Sequence, residues 1–145
     1  MKRLKGKGVT DGKSAGPALV TKQMFGFWGG VDPSTGTIID QRHELYGQNI
    51  KGKVFVFPEG RGSTVGAAVI LELVRCGNAP AAIINRRTEG ILASGGILAD
   101  KFYNTVLPIV DNLEADPITE IKTGDWVEVD GTAGIVTIGN KNIGQ

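Results

Sequence analysis

The sequence predicts an α/β fold in which a central parallel βαβαβ unit is flanked by antiparallel β-strands, and three features carry that prediction. Past Lys53, short apolar runs alternate with helical periodicity over Val54–Phe57, Thr64–Cys76, Ala81–Asn85, Gly90–Tyr103 and Val106–Val110. Alternation of this kind predicts parallel strands joined by crossover helices. Upstream, Leu4–Val9 and Ala18–Thr21 read as strands; downstream, Trp126–Val129 and Gly134–Ile138 read as an antiparallel hairpin joined by Asp130-Gly131-Thr132-Ala133.

Each element follows from its residues. The opening strands are separated by Thr10–Pro17, read as a loop because of its Asp-Gly and Ala-Gly-Pro breakers. Gly26–Gly36 is rich in turn residues yet carries Phe27 and Trp28, and Asp32-Pro33-Ser34-Thr35-Gly36 makes a turn before a short strand at Thr37–Asp40. Asp40–Gly47 reads as a loop or one helical turn. Val54–Phe57 is a continuous apolar run stopped by Pro58, as in a strand covered on both faces. Val65, Ala68, Val69, Leu73 and Cys76 then recur at helical spacing until Gly77 offers a stop. Gly95 and Gly96 each cost the second helix about 1 kcal/mol relative to Ala, unless they permit close packing on the sheet.

The chain has 145 residues, enough for one hydrophobic core, and it is read as a single domain over 1–145. A formal net charge of +1 suggests neither nucleic acid nor an anionic membrane as partner. The charges are nevertheless segregated. Lys2, Arg3, Lys5, Lys7, Lys13 and Lys22 face only Asp11 in the first segment, whereas Asp111, Glu114, Asp116, Glu120, Asp125, Glu128 and Asp130 face only Lys122 in a late one. Two solvated faces lying near each other account for this; a charged docking face is the alternative. Cys76 is the single cysteine, so no internal disulfide, iron–sulfur cluster or structural zinc is expected from this chain alone. No apolar run approaches the ~20 residues of a membrane span, and no signal-peptide core opens the chain, so a cytoplasmic location is expected.

The chemistry is expected at Gly60–Ser63, where a strand ends and a helix begins. A guanidinium (Arg61), a hydroxyl (Ser63) and free helix N–H groups converge in such a turn. Ser63 also admits a capping role, although the residue three positions on is Gly66 and no reciprocal capping box exists. A nucleophile elbow fails because Arg61 and Val65 occupy the required glycine positions, and a Walker A loop fails because no lysine precedes Ser63. Gly60–Gly66 is one residue longer than the dinucleotide fingerprint, and the next strand ends in Asn85-Arg86-Arg87 without an acidic ribose ligand. What remains is an oxyanion or phosphate cradle to which Arg61 adds a fork of donors. His43, the only histidine, reads as a surface or loop residue rather than a catalytic one, and Phe27 and Trp28 as core or interface aromatics.

Four segments carry a resemblance. Phe27–Asp40 (FWGGVDPSTGTIID), Arg42–Gly47 (RHELYG), Pro58–Gly66 (PEGRGSTVG) and Ala79–Asn85 (APAAIIN) resemble, in order, the small swivel subunit of aconitase X enzymes. The resemblance implies a swivelling β/β/α domain docked on a large catalytic subunit, as a heterodimer or higher assembly, with an iron–sulfur cluster, [4Fe–4S] in kind, held by that partner. It implies a hydro-lyase, active only with the large subunit, acting on a small hydroxy acid. Two activities are known in the family. The GRGSTVG form followed by APAAIIN is more similar to the archaeal branch, which dehydrates (R)-5-phosphomevalonate to trans-anhydromevalonate 5-phosphate in the mevalonate pathway of isoprenoid synthesis; cis-3-hydroxy-L-proline dehydratase is the alternative. By the same resemblance Ser63 is the catalytic base, Arg61, Gly62 and Thr64 bind or orient the substrate, and the partner's cluster acts as Lewis acid on the departing hydroxyl. A non-catalytic phosphate- or nucleotide-binding module is the alternative of another class. A phosphohistidine swivel domain is disfavoured because DQRHELYG lacks that family's histidine motif.

Overall fold

The computed structural model describes residues 2–60, 64–88 and 90–139. Its elements are β1 (Lys2–Lys5), β2 (Lys7–Thr10), β3 (Lys13–Val20), β4 (Val31–Asp32), β5 (Thr37–Ile38), β6 (Val54–Val56), α1 (Thr64–Arg75), β7 (Ala82–Ile84), α2 (Gly90–Tyr103), β8 (Ile109–Asp111), α3 (Pro117–Glu120), β9 (Trp126–Asp130) and β10 (Ile135–Gly139). Eight strands pair in the order β1-β10-β9-β3-β6-β7-β8-β2, and β4 with β5 forms a separate hairpin. β3, β6, β7 and β8 are mutually parallel, as the alternation of strands and helices predicts.

Strand pairing explains where the chain departs from expectation. Lys13–Pro17, read as loop, is instead the first half of β3. It pairs antiparallel with β9 from Lys13↔Asp130 to Pro17↔Trp126, while Ala18–Val20 pairs parallel with β6. One strand therefore serves two sheets, and its breakers mark the changeover rather than an end. The expected strand Leu4–Val9 is likewise two strands. β1 pairs with β10 and β2 with β8, so a single N-terminal segment joins both ends of the strand order and closes it into a ring. Gly8 is required at this closure, because a Cβ there would collide with the backbone carbonyl of Gly131.

Alternation along the parallel strands sorts side chains into two cores. Leu19, Phe55, Phe57, Ile83 and Ile109 face the helices and pack with Ile70, Leu73 and Leu92. Ala18, Val54, Val56, Ala82, Ile84 and Val110 face the other way and pack with Leu4, Val127, Val129, Val136 and Ile138. The layers are therefore β, β and α, the architecture implied by the resemblance. In α2 a Cβ on Gly95 would stand 2.9 Å from Ile70 Cδ1, and one on Gly96 3.0 Å from Ile109 Cδ1. Gly96 thus admits the sheet, as expected, while Gly95 admits the neighbouring helix. α1 ends as predicted at Gly77, whose φ of 75° lets Asn78 N–H reach the Leu73 carbonyl at 2.8 Å.

The predicted surface charge segments do meet. Lys2 Nζ lies 2.6 Å from Glu120 and Lys13 Nζ 3.7 Å from Asp130, exposed pairs of the solvated kind. Among the described residues no helix is long and apolar enough to cross a membrane.

Candidate active site

The carboxyl ends of β3, β6, β7 and β8 lie along one edge of the parallel sheet, where Thr21, Phe57, Asn85 and Asn112 follow the strands. This is the side on which open α/β sheets bind ligands. β6 leaves it through Pro58-Glu59-Gly60, and α1 begins at Thr64. Arg61, Gly62 and Ser63, singled out from the sequence, lie outside the described residues, as does the side chain of Thr64. The structure describes what brackets them. α1 has no acidic residue in its first turn, so no carboxylate side chain there offsets the positive end of the helix.

Both sides of the exit from β6 are pinned. On one side Phe25 N–H donates to the Glu59 carbonyl at 3.2 Å, and Phe25 bridges Gly60 in parallel register. On the other, the amides of Arg86 and Arg87 both donate to the Pro58 carbonyl, at 3.0 and 3.4 Å. The fully buried Asn85 donates from Nδ2 to the Phe57 carbonyl at 2.9 Å and accepts from Thr88 Oγ1 at 3.2 Å. Thr88 N–H then donates to Asp111 Oδ2 at 2.7 Å, while Asn112 Nδ2 donates to Asp111 Oδ1 at 3.1 Å. A polar chain therefore ties together the ends of β6, β7 and β8. Each of its buried groups is satisfied, which fixes one arrangement of the edge rather than several. Sequence reasoning missed this chain; the signal was a polar residue closing each apolar run, Asn85 after AAII and Asp111 after PIV.

A second polar group secures the end of β3. The buried Thr21 hydroxyl donates to Glu44, as does Lys22 N–H, and these contacts, the hydroxyl first, hold the Glu44 carboxyl below its ordinary value. His43 sits beside it. Leu45 N–H donates to Nδ1 at 3.1 Å, so the ring proton resides on Nε2, which donates to the Met24 carbonyl at 3.1 Å. Both nitrogens are engaged with backbone. His43 is thus a loop residue, as expected, but a buried one that locks the Met24 loop. Phe27 and Trp28 part company: Phe27 is 5% exposed and stacks edge-on against Phe25, whereas Trp28 is 64% exposed.

Two open concavities bear on the choice of site. One, about 440 Å³, lies on the outer strand face among Arg3, Lys13, Glu128, Asp130 and Thr137, at the far end of β3 from the carboxyl edge. The other, about 390 Å³, lies beside that edge among Gln23, Met24, Asp40, Arg42 and His43. The exit from β6, rather than the larger hollow, is where the pinned backbone of Pro58–Gly60 leads toward the positive end of α1.

Comparison with known proteins decides the family. The model of the aconitase X swivel domain matches residues 3–138. The chain belongs to the aconitase X swivel-domain family. A relative from Methanocella arvoryzae, named phosphomevalonate dehydratase small subunit, is 50% identical over 136 residues, covering 94% of this chain and 98% of its own. One of the same name from Methanocaldococcus jannaschii is 48% identical over 138 residues, covering 95% and 98%. The crystal structure of Thermococcus kodakaraensis aconitase X in its holo-form superposes with a TM-score of 0.86 at 40% identity, covering 95% of this chain and 98% of that one.

The donor set of this swivel domain does not fit a cluster of its own. Among the described residues no three His, Cys, Asp or Glu side chains stand close enough to hold a metal ion. Cys76 lies just past the C-terminus of α1, with Sγ 3.6 Å from Glu72 Oε1. The opposite end of that helix adjoins the pinned turn.

Proposed function

We propose that this chain is the small subunit of a heteromeric hydro-lyase that dehydrates (R)-5-phosphomevalonate, supplying a serine base to a site completed by a large subunit. The observation that carries the reading is identity of 50% and 48%, across nearly the whole of both chains, with proteins named phosphomevalonate dehydratase small subunit. The whole chain acts in the cytoplasm as one swivel domain. An iron–sulfur cluster, [4Fe–4S] by resemblance, belongs to the large subunit and supplies Lewis acidity there.

The resemblance supplies the roles of this chain's residues. Ser63 takes the proton from the carbon next to the substrate carboxylate. The electron pair of that carbon–hydrogen bond becomes the new double bond, and the hydroxyl leaves from the neighbouring carbon, so one water is lost overall. A serine hydroxyl is too weak a base unless its anion is stabilised, which Arg61 and the first N–H groups of α1 do. Gly62 lets the backbone approach the substrate, and Thr64 orients it at the first turn of the helix. The pinning of Pro58–Gly60 from both sides supports this reading, because a base must be held to a fraction of an ångström to act.

The test is reconstitution with the large subunit and assay of water loss from mevalonate 5-phosphate. Ser63→Ala should lower kcat by about 10²-fold or more while the subunits still copurify. Near-normal turnover in the copurified variant removes Ser63 from the mechanism. Faster water loss from cis-3-hydroxy-L-proline than from the phosphate ester overturns the substrate. Trp28 is the residue this domain offers to the large subunit, since a large exposed aromatic is what interfaces bury. Trp28→Ser should weaken association by about tenfold or more in a titration of one subunit with the other, and unchanged affinity removes it from the interface.

A further inference from the structure

The excursion between β3 and β6, residues 21–53, carries Arg42–Gly47, a segment of the resemblance to which the dehydratase reading gives no role. It contains the hollow of about 390 Å³ among Gln23, Met24, Asp40, Arg42 and His43, where the chain leaves β3. The walls of that hollow are tied together. His43, 9% exposed, links Met24 to Leu45 through its two ring nitrogens, and Glu44 N–H donates to Gln23 Oε1 at 2.9 Å.

The charges around it are unevenly committed. Glu44 accepts from the Thr21 hydroxyl and the Lys22 amide, and Asp40 accepts from the Arg42 amide at 3.0 Å. The cations are freer. Lys22 is exposed, with no hydrogen-bond or ion-pair partner for its ammonium among the described residues. The Arg42 side chain is 89% exposed, and its one ion pair among the described residues is a long one, from Nε to Asp40 Oδ1 at 3.6 Å. With carboxylates bonded within the loop and cationic groups left to solvent, this surface is electropositive. Met24, also exposed, adds an adaptable apolar wall. The larger hollow differs, because Lys13 and Asp130 pair across it at 3.7 Å.

We infer that the hollow at Met24 and Arg42 docks an acidic segment of the large subunit, a carboxylate of that segment meeting Arg42 and Lys22 while an apolar neighbour packs on Met24. The inference rests on the small-subunit reading above and concerns assembly, not the reacting atoms. Complementary charge favours that occupant, whereas the same patch on a second copy of this chain would meet it with like charge.

The experiment titrates the full chain with the large subunit at two ionic strengths and measures turnover of mevalonate 5-phosphate at saturation. Arg42→Glu should weaken association about 10- to 100-fold and Lys22→Glu about fivefold or more, while Arg42→Lys and the distant Arg3→Glu change it less than about threefold. Added salt should weaken the wild type more than Arg42→Glu, and the saturated Arg42→Glu complex should turn over within about threefold of wild type. Losses under about threefold in both reversals, an equal loss in Arg3→Glu, unaltered salt dependence, or a fall in turnover at saturation overturns the docking role and leaves the dehydratase reading standing. A wild-type chain that dimerises alone, with Arg42→Glu monomeric, gives the hollow to a second copy and overturns it too. No association by the wild type overturns the small-subunit reading and this inference together; association without turnover overturns the substrate alone.

Discussion

The two cores of this domain are built from different materials. On the helix side four phenylalanines interlock: Phe25 lies 5.0 Å, centroid to centroid, from both Phe27 and Phe55, and Phe55 lies 4.7 Å from Phe57. The β–β side contains no aromatic ring among its buried members, only Leu, Ile, Val and Ala. The difference tracks function. Phe25 is at once the hub of the rings and the residue whose backbone holds Glu59 and Gly60, so the aromatic cluster is the foundation of the candidate site. The aliphatic side supports closure of the strand ring.

Substitutions can break or sharpen that contrast. Phe25→Ala has the largest expected effect, about 3–5 kcal/mol of stability by urea unfolding, with loss of activity in the assembled enzyme even where the variant remains folded. Val127→Ala, fully buried on the opposite side, should cost about 1–3 kcal/mol and leave activity per folded molecule unchanged. Equal losses of specific activity in the two variants would erase the functional distinction between the cores.

The smallest effect is at the link between β7 and α3. The Arg86 hydrogen bonds, and after them the Ile118 amide, hold the Asp116 carboxyl below its ordinary value of 3.8. A carboxyl depressed in the folded state stabilises above its unfolded value, and the contribution fades as pH falls through the folded one. Both side chains are about half exposed, so the pair itself contributes about 1 kcal/mol or less. Asp116→Asn should therefore lower the urea midpoint slightly near neutrality, and the gap to wild type should close below pH 3.8. A gap that persists unchanged at lower pH would show that the carboxylate charge is not what Arg86 uses.

Much of this was legible in the residues because local signals and tertiary structure agreed. α2 spans Gly90–Tyr103 as its periodicity predicts, and the parallel order follows from strand–helix alternation. Lys13–Pro17 was not legible, since its strand character comes from β9, more than a hundred residues downstream, and not from its own propensities. The hairpin of β4 and β5 was partly visible: the turn at Asp32–Gly36, with Asp32 accepting from Ser34 and Gly36, and a short strand from Thr37 were expected, but the two-residue β4 carries too little alternation to read. At the site, residue types pointed to the turn at Ser63, and resemblance assigned its roles. The chain through Asn85, Thr88 and Asp111 needed three strand ends brought side by side, which spacing alone does not reveal.

The ring closed by the N-terminal segment bears on how the molecule is made. Leu4 finds its partner at Val136, so β1 waits through more than a hundred further residues of synthesis before it can pair. Until then it is a bare template for intermolecular association, and non-local pairing of this kind makes maturation slow. Lys2, Arg3, Lys5 and Lys7 spread cationic side chains along that waiting strand, and their mutual repulsion between nascent copies guards solubility during synthesis.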